Sequence, residues 1–235
     1  MKPTKEYNGR SRIRMYRADC MEFMKQVDEP YDLAIVDPPY GIGFDRENVS
    51  MSAGIRKDGT QRKMDSWSSP SEKGYKDKNW DVKPDKSYFK HLFDSSENQI
   101  IWGGNYFTDI LSPHGGWIVW EKGVPDGMSL SQAELAYNTT LNSIRVVKVL
   151  WAGYKKANNE DRFHPTQKPV QLYKWLLTNY AKEGDTILDT HGGSLSIAIA
   201  CWDLGFDLDV CELDTDYFND AVKRFESHIA QTQLF

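Results

Sequence analysis

Residues 33–36 read LAIV, and the next four are Asp37-Pro38-Pro39-Tyr40. An unbroken apolar run this short is what a strand needs when both of its faces are covered, as in a parallel sheet flanked by helices. The two prolines then remove two backbone donors and fix φ, so the strand stops there and the turn behind it is stiff. Further strands are expected at Asn98–Gly103, Gly116–Glu121, Arg145–Trp151, Thr186–Asp189 and Phe206–Glu212. Helices are expected over residues 84–95 with Pro84 in the first turn, over Tyr106–Leu111, and over Ser129–Tyr137. Three more are expected: a helix capped by Thr166 with Pro169 in its first turn, one over Leu195–Leu204, and one from about Thr215 to Ala230. Strands alternating with helices predict parallel βαβ units and an α/β fold with a doubly wound sheet.

The 235 residues fit one α/β domain, and a 40% hydrophobic content is enough for a sizeable core. Residues 45–83 interrupt the pattern: they are polar, rich in Ser, Lys, Asp and Gly, and carry no periodicity, as a functional or disordered loop does. The net charge of −5 excludes a generally basic nucleic-acid coat, though not a local basic channel. Cys20, Cys201 and Cys211 are too few and too scattered for a disulfide framework or a metal site, so no metal is expected. The N-terminus is too polar for a signal peptide and no apolar run approaches a membrane span; a cytoplasmic setting is expected.

Four places carry chemistry. Asp37-Pro38-Pro39-Tyr40 lies just past the carboxyl end of a strand, where an open α/β sheet places its ligands. The Asp37 carboxylate and the Pro38 carbonyl are both acceptors, matched to the two donors of an exocyclic NH₂, and Tyr40 offers a ring for stacking on an extruded base. Asp189-Thr190-His191-Gly192-Gly193-Ser194 joins a strand to a helix through a glycine turn that lets a cofactor approach the backbone. The next strand ends in Glu212, placed to accept from ribose hydroxyls. His164-Pro165-Thr166-Gln167-Lys168-Pro169 sets polar side chains at a helix start, where Lys168 can face a carboxylate. Asp19, with Glu22 three residues on, fits a capping box as well as it fits a ligand contact.

Together these pieces resemble the β-class DNA amino-methyltransferases, in the small phage-like and bacterial N6-adenine branch. The matching segments are DPPYGIG (37–43), IIWGGNYF (100–107), GWIVWEKG (116–123), AELAY (133–137), HPTQKPVQLYKWL (164–176), ILDTHGGS (187–194) and CELD (211–214). Their order, catalytic motif first and cofactor motif last, is the permuted order of that class. The resemblance implies a Rossmann-like sheet binding S-adenosylmethionine. It implies that Asp37, Pro38, Pro39 and Tyr40 hold a flipped base. It implies cofactor contacts from Asp19 and Cys20, from Asp37, from His164, Thr166, Gln167 and Lys168 near the methionine end, from Asp189 through Ser194, and from Glu212 and Leu213. The chain departs from the family where Thr190-His191 replace Pro-Phe, and where Leu195 replaces a glycine.

DNA contacts are expected from two places. Residues 46–86 hold ten Lys/Arg against seven Asp/Glu, among them Arg46, Lys57, Arg62, Lys63, Lys76 and Lys78; residues 145–156 hold Arg145, Lys148, Lys155 and Lys156 and no acid. The 45–83 segment is expected to be mobile without DNA and to order on binding it. No cysteine follows a proline, so carbon-5 cytosine methylation is not expected. The alternatives are a cytosine exocyclic amine, an RNA base, or a non-catalytic DNA-binding relative. A homodimer is an expectation from the family alone.

Overall fold

The computed structural model describes residues 1–42, 80–127, 131–152, 155–156 and 166–232, without the side chains of residues 152, 155, 156 and 232. Of the predicted polar insertion, residues 45–79 therefore lie outside the described residues. No described helix is long and apolar enough to cross a membrane.

The strands are β1 (Lys5–Asn8), β2 (Arg12–Tyr16), β3 (Tyr31–Val36), β4 (Ser96–Trp102), β5 (Trp117–Glu121), β6 (Ala133–Asn138), β7 (Ile144–Lys148), β8 (Trp151–Ala152), β9 (Lys155–Lys156), β10 (Thr186–Asp189) and β11 (Asp207–Cys211). The helices are α1 (Cys20–Met24), α2 (Lys86–Asp94), α3 (Val170–Tyr180), α4 (Ser196–Leu204) and α5 (Thr215–Thr232). Among the described residues nine strands form one sheet in the order β1-β2-β11-β10-β3-β4-β6-β5-β7, and β8 and β9 form a separate two-stranded ribbon. β2, β11, β10, β3 and β4 are mutually parallel, while β6 runs antiparallel to both of its neighbours. This is the doubly wound, mostly parallel Rossmann-like sheet that the alternation of strands and helices predicts.

The apolar run in β3 has the reason the sequence suggests. Leu33 and Ile35 point into a core shared with Leu172, Leu176, Ile197 and Phe225 of α3, α4 and α5. Ala34 and Val36 point the other way, into a core with Phe23, Tyr88, Phe89 and Leu92 of α1 and α2. Two covered faces leave no polar face to alternate with.

Both halves of the sheet have their carboxyl ends on one edge. From β10 the chain winds outward to β11; from β3 it winds the opposite way to β4. The winding reverses between β10 and β3, whose Ile187 and Leu188 pair with Leu33 and Ala34. A crevice opens where winding reverses, and open α/β sheets bind their ligands there.

Four expectations need correction. Ser129–Tyr137 is not a helix: residues 133–138 form β6, wedged between β4 and β5. Its Ala-Glu-Leu-Ala composition favours a helix, but pairing on both sides and burial of Ala136, Tyr137 and Asn138 override that preference. Tyr106–Leu111 gives only a 3-10 turn at Gly104–Tyr106, followed by turns. Pro84 precedes the helix rather than entering it, because the Asp85 carboxylate caps α2 by accepting from Ser87 and Tyr88 N–H. Thr166 is likewise no cap: α3 begins at Val170 behind Pro169. The first strand, β1, is not evident from the sequence and hairpins onto β2.

One half-buried ion pair ties β2 to β11. Arg14 of β2 grips Asp209 of β11 with two hydrogen bonds, Nε to Oδ1 at 2.5 Å and Nη2 to Oδ2 at 2.6 Å. The Tyr31 hydroxyl donates to the same carboxylate. Asp209→Ala removes the acceptor of both partners, and because Arg14 can turn to water we expect a loss of about 2 kcal/mol in urea unfolding.

Candidate active site

The carboxyl edge of the sheet gathers the singled-out acids in strand order. Asp19 follows β2, Glu212 follows β11, Asp189 ends β10 and Asp37 follows β3. The Glu212 N–H donates to Tyr16 O at 3.0 Å, which fixes the β11 end beside the β2 end.

The glycine turn after β10 is built on one carboxylate. Glu212 accepts from Gly193 N–H (Oε2, 2.8 Å) and from Asp214 N–H (Oε1, 2.8 Å), so it pins the turn to the end of the neighbouring strand. Burial pushes its carboxyl above the usual range despite these bonds. A side chain at Gly192 would meet Val210 Cγ2 at 2.6 Å. Leu195, where the related motif has glycine, keeps glycine's backbone: its φ of 56° is the only positive value at a described non-glycine residue. A left-handed leucine costs roughly 1–2 kcal/mol, which its complete burial offsets.

Thr190 and His191, the other departures, form a buried chain. The Tyr88 hydroxyl and the Thr190 hydroxyl lie 2.7 Å apart, and Thr190 Oγ1 lies 2.9 Å from His191 Nδ1. The His191 ring meets Tyr88 edge-on at 5.4 Å. Burial drives the imidazole down to about 4, so it is neutral at ordinary pH. The pair replaces an aromatic with a ring that is also hydrogen-bonded, tying the turn to α2.

Asp189 is buried and accepts from His191 N–H at 2.9 Å. Burial pushes its carboxyl to about 8; the His191 bond opposes this, and nearby Asp37 and Glu212 add to it. Such an acid is poised to stabilise a positive group brought to the turn.

Across the crevice, Asp37 Oδ1 accepts from the Tyr40 hydroxyl at 2.6 Å and Oδ2 accepts from Lys168 Nζ at 2.5 Å. The Tyr40 ring rests against Gly103, where an added Cβ would fall 2.1 Å from Cε1. Tyr106 stacks on Tyr40 with centroids 4.8 Å apart and planes 17° from parallel, and Phe107 meets it edge-on. Asp81 clasps the strand exit, accepting from Gly41 N–H (2.8 Å) and Ile42 N–H (3.0 Å). The Lys168 side chain is 4% exposed and also lies 3.3 Å from Glu134 Oε2.

The residues therefore divide into a carboxylate–glycine half and a carboxylate–aromatic half, side by side where the sheet reverses. The model of the DNA methylase family, N6_N4_Mtase, matches residues 63–223. The chain belongs to that family. The methylase is also 25% identical to a type II methyltransferase, M2.DpnII of Streptococcus pneumoniae, over 95% of this chain and 93% of that protein. Among solved structures it is similar to M1.HpyAVI in its complex with SAM, at 18% identity and a TM-score of 0.55, covering 90% of this chain and 99% of that one. It is also similar to the cytosine-N4-specific PvuII DNA methyltransferase, at 11% identity and a TM-score of 0.57, covering 95% and 87%. At these identities the structures speak for the fold of the methylase.

Other singled-out residues fall as follows. Asp19 caps α1, accepting from Met21 N–H at 2.7 Å and Glu22 N–H at 3.4 Å. Only half of the expected capping box forms, because Glu22 Oε1 accepts from Lys25 instead. Cys20 is partly buried, which pushes its thiol up to about 12. Ser194 is held by Arg224, whose Nη1 donates to Ser194 O at 2.7 Å. Leu213 is exposed, Thr166 is partly buried and Gln167 is buried. Lys168 faces two carboxylates of the chain itself, Asp37 and Glu134. His164, Arg46, Lys57, Arg62, Lys63, Lys76 and Lys78 lie outside the described residues; Lys155 and Lys156 are described in backbone only, in β9.

Arg145 is not brought to the site. It stands near the amino end of β7, the edge strand, four strands from β3 and at the opposite edge of the sheet from Asp37. Glu134, Lys122, Tyr106 and Tyr88 belong to the site and were not singled out from the sequence. Tyr106, Lys122 and Glu134 lie inside the matching segments IIWGGNYF, GWIVWEKG and AELAY, while Tyr88 lies in none of them.

Two outcomes follow from this geometry. Gly103→Ala has no room beside Tyr40 and must also hold φ +67°, so methylation activity should fall by about a hundredfold with the protein still folded by circular dichroism. Asp189 is raised above its unfolded value, so its contribution is full below about pH 4 and is lost as pH rises toward 8. Asp189→Asn should therefore unfold at higher temperature than the parent at pH 8, with the advantage shrinking as pH falls toward 4.

Proposed function

We propose that this methylase transfers a methyl group from S-adenosyl-L-methionine to the N6 amine of adenine in DNA, acting on a base turned out of the helical stack. What supports this reading above all is the adjacency of its two halves: Asp189 and Asp37 end neighbouring parallel strands, so a group held at one faces a group held at the other.

The residues present suit that cofactor. Glu212, next to the glycine turn, keeps lone pairs for ribose hydroxyls beyond the two N–H groups it already accepts. Asp189 is a desolvated acid that gains from a positive neighbour. Asp19 and Cys20 border the same edge on the side of β2. Gln167 and Thr166 approach from the start of α3. When bound, S-adenosylmethionine supplies a methyl carbon already activated by sulfonium.

The protein's own work is positioning and electrostatics. Asp37 and the Pro38 carbonyl accept hydrogen bonds from the two N–H groups of the target amine, which aims its lone pair across the crevice. Pro39 stiffens the turn that carries them. Tyr40 offers its ring to the base, on the stacking face that Tyr106 covers in the free protein. Asp37 or water accepts the proton the amine releases. Adenine is favoured over cytosine because Asp-Pro-Pro-Tyr is the tetrapeptide of the N6-adenine branch; the two amines are otherwise chemically alike. Lys155 and Lys156, with the basic residues of the 46–78 segment, are proposed to track DNA phosphates. The reading implies a cytoplasmic protein.

Methylation of mixed-sequence DNA with a labelled cofactor tests this. We expect label on N6-methyladenine after nucleoside analysis, and none above background with Asp37→Ala. Label on N4-methylcytosine moves the target; no transfer and no cofactor binding in calorimetry leaves a DNA-binding relative.

A further inference from the structure

Both oxygens of the Asp37 carboxylate are engaged in the free protein, one by Tyr40 and one by the Lys168 ammonium at 2.5 Å. An arriving amine must compete with the stronger of these, a buried charged donor. The ammonium has one other described anion in reach, Glu134 Oε2 at 3.3 Å. Glu134 is itself held by Lys122, 2.7 Å from its Oε1. The result is a line of alternating charge, Lys122–Glu134–Lys168–Asp37, running from β6 and the β5 end to the site.

A single Lys168–Asp37 pair would satisfy both charges. The second pair adds two more groups whose desolvation works against stability, and apolar residues of similar volume serve a core at least as well. Burial pushes Glu134 up, yet Lys168 and Lys122 overcome it and hold the carboxyl at about 2, so it stays an anion throughout the working range. The indole of Trp102 lies beneath, 5.2 Å from the ammonium, and offers no anion. Lys168 thus sits between two carboxylates, leaning toward the first, and a movement shorter than one bond length reverses the lean.

We propose that Glu134 is a positioning residue for methyl transfer: it receives the Lys168 ammonium when the target amine reaches Asp37, so that Asp37 can accept the amine without leaving a buried cation unpaired. This rests on Asp37 being the acceptor of the amine, as proposed above. It goes further in giving β6 a part in the reaction through a residue that touches neither substrate.

Glu134→Gln keeps the shape and removes the receiving charge. In steady-state methylation we expect kcat to fall about a hundredfold, with KM for the cofactor and for DNA each within about threefold of the parent. Glu134→Asp should recover part of kcat. If Glu134→Gln does not fold, Glu134→Gln combined with Lys122→Gln removes the outer pair together and should show the same split. Parental kcat in the folded variants overturns the proposal, as does a loss residing mainly in KM. Asp37→Ala serves as the separate control: activity there defeats the reading of Asp37, whereas an inactive Asp37→Ala beside a fully active Glu134→Gln defeats only the role of Glu134.

Discussion

Asp37 and Asp189 are acids at the ends of neighbouring strands, and Asp37 adds to the burial that makes ionisation of Asp189 harder. The Lys168 ammonium is what lets them share one crevice. It is nearly buried, which disfavours its charge, but Asp37 and Glu134 outweigh that and hold its proton more tightly than usual. The same cation pulls against the rise of Asp189. Much of the surrounding sequence serves to hold this one nitrogen: Pro169 stops α3 from starting earlier and leaves Lys168 extended toward the sheet, Trp102 and Tyr40 give it aromatic neighbours, and Lys122 secures its second anion.

The site is a product of topology as much as of side chains. A reversal of winding between β10 and β3 places two chain segments, far apart in sequence, at one edge. Glu212 then fixes the glycine turn through a hydrogen bond to Gly193, and Asp81 fixes the start of the polar segment through Gly41 and Ile42. Each half is locked by a carboxylate that binds backbone N–H groups.

Much of this was legible in the residues because it follows from short-range rules. A continuous apolar run means a strand covered twice, Asp-Pro-Pro-Tyr must end it, and a glycine turn between strand and helix must approach whatever lies above it. What was not legible depends on distant pairing. β6 reads as helix because Ala, Glu and Leu favour one, and only its two antiparallel neighbours make it a strand. Glu134 was not singled out for the same reason: AELAY is among the matching segments, but a Glu in a misread element gets its meaning only from Lys122 and Lys168 across the sheet. Arg145 carries charge in the sequence, and the fold sets it at the edge of the sheet away from Asp37, a placement that no count of basic residues can show. The Leu195 departure keeps its backbone shape, since burial of the side chain compensates for a conformation glycine adopts freely.

The strand order also bears on how the chain is made. β2, near the beginning, pairs on one side with β1 and on the other with β11, which closes only at Cys211. During synthesis the β1–β2 hairpin must wait for β11 before its inner edge is covered, and pairings this distant are slow to form. Until then an open edge faces the solvent of a growing chain. A chain that stops short of β11 therefore loses a strand from within its sheet, not an appendage from its rim, and the piece left without a seat is the β1–β2 hairpin.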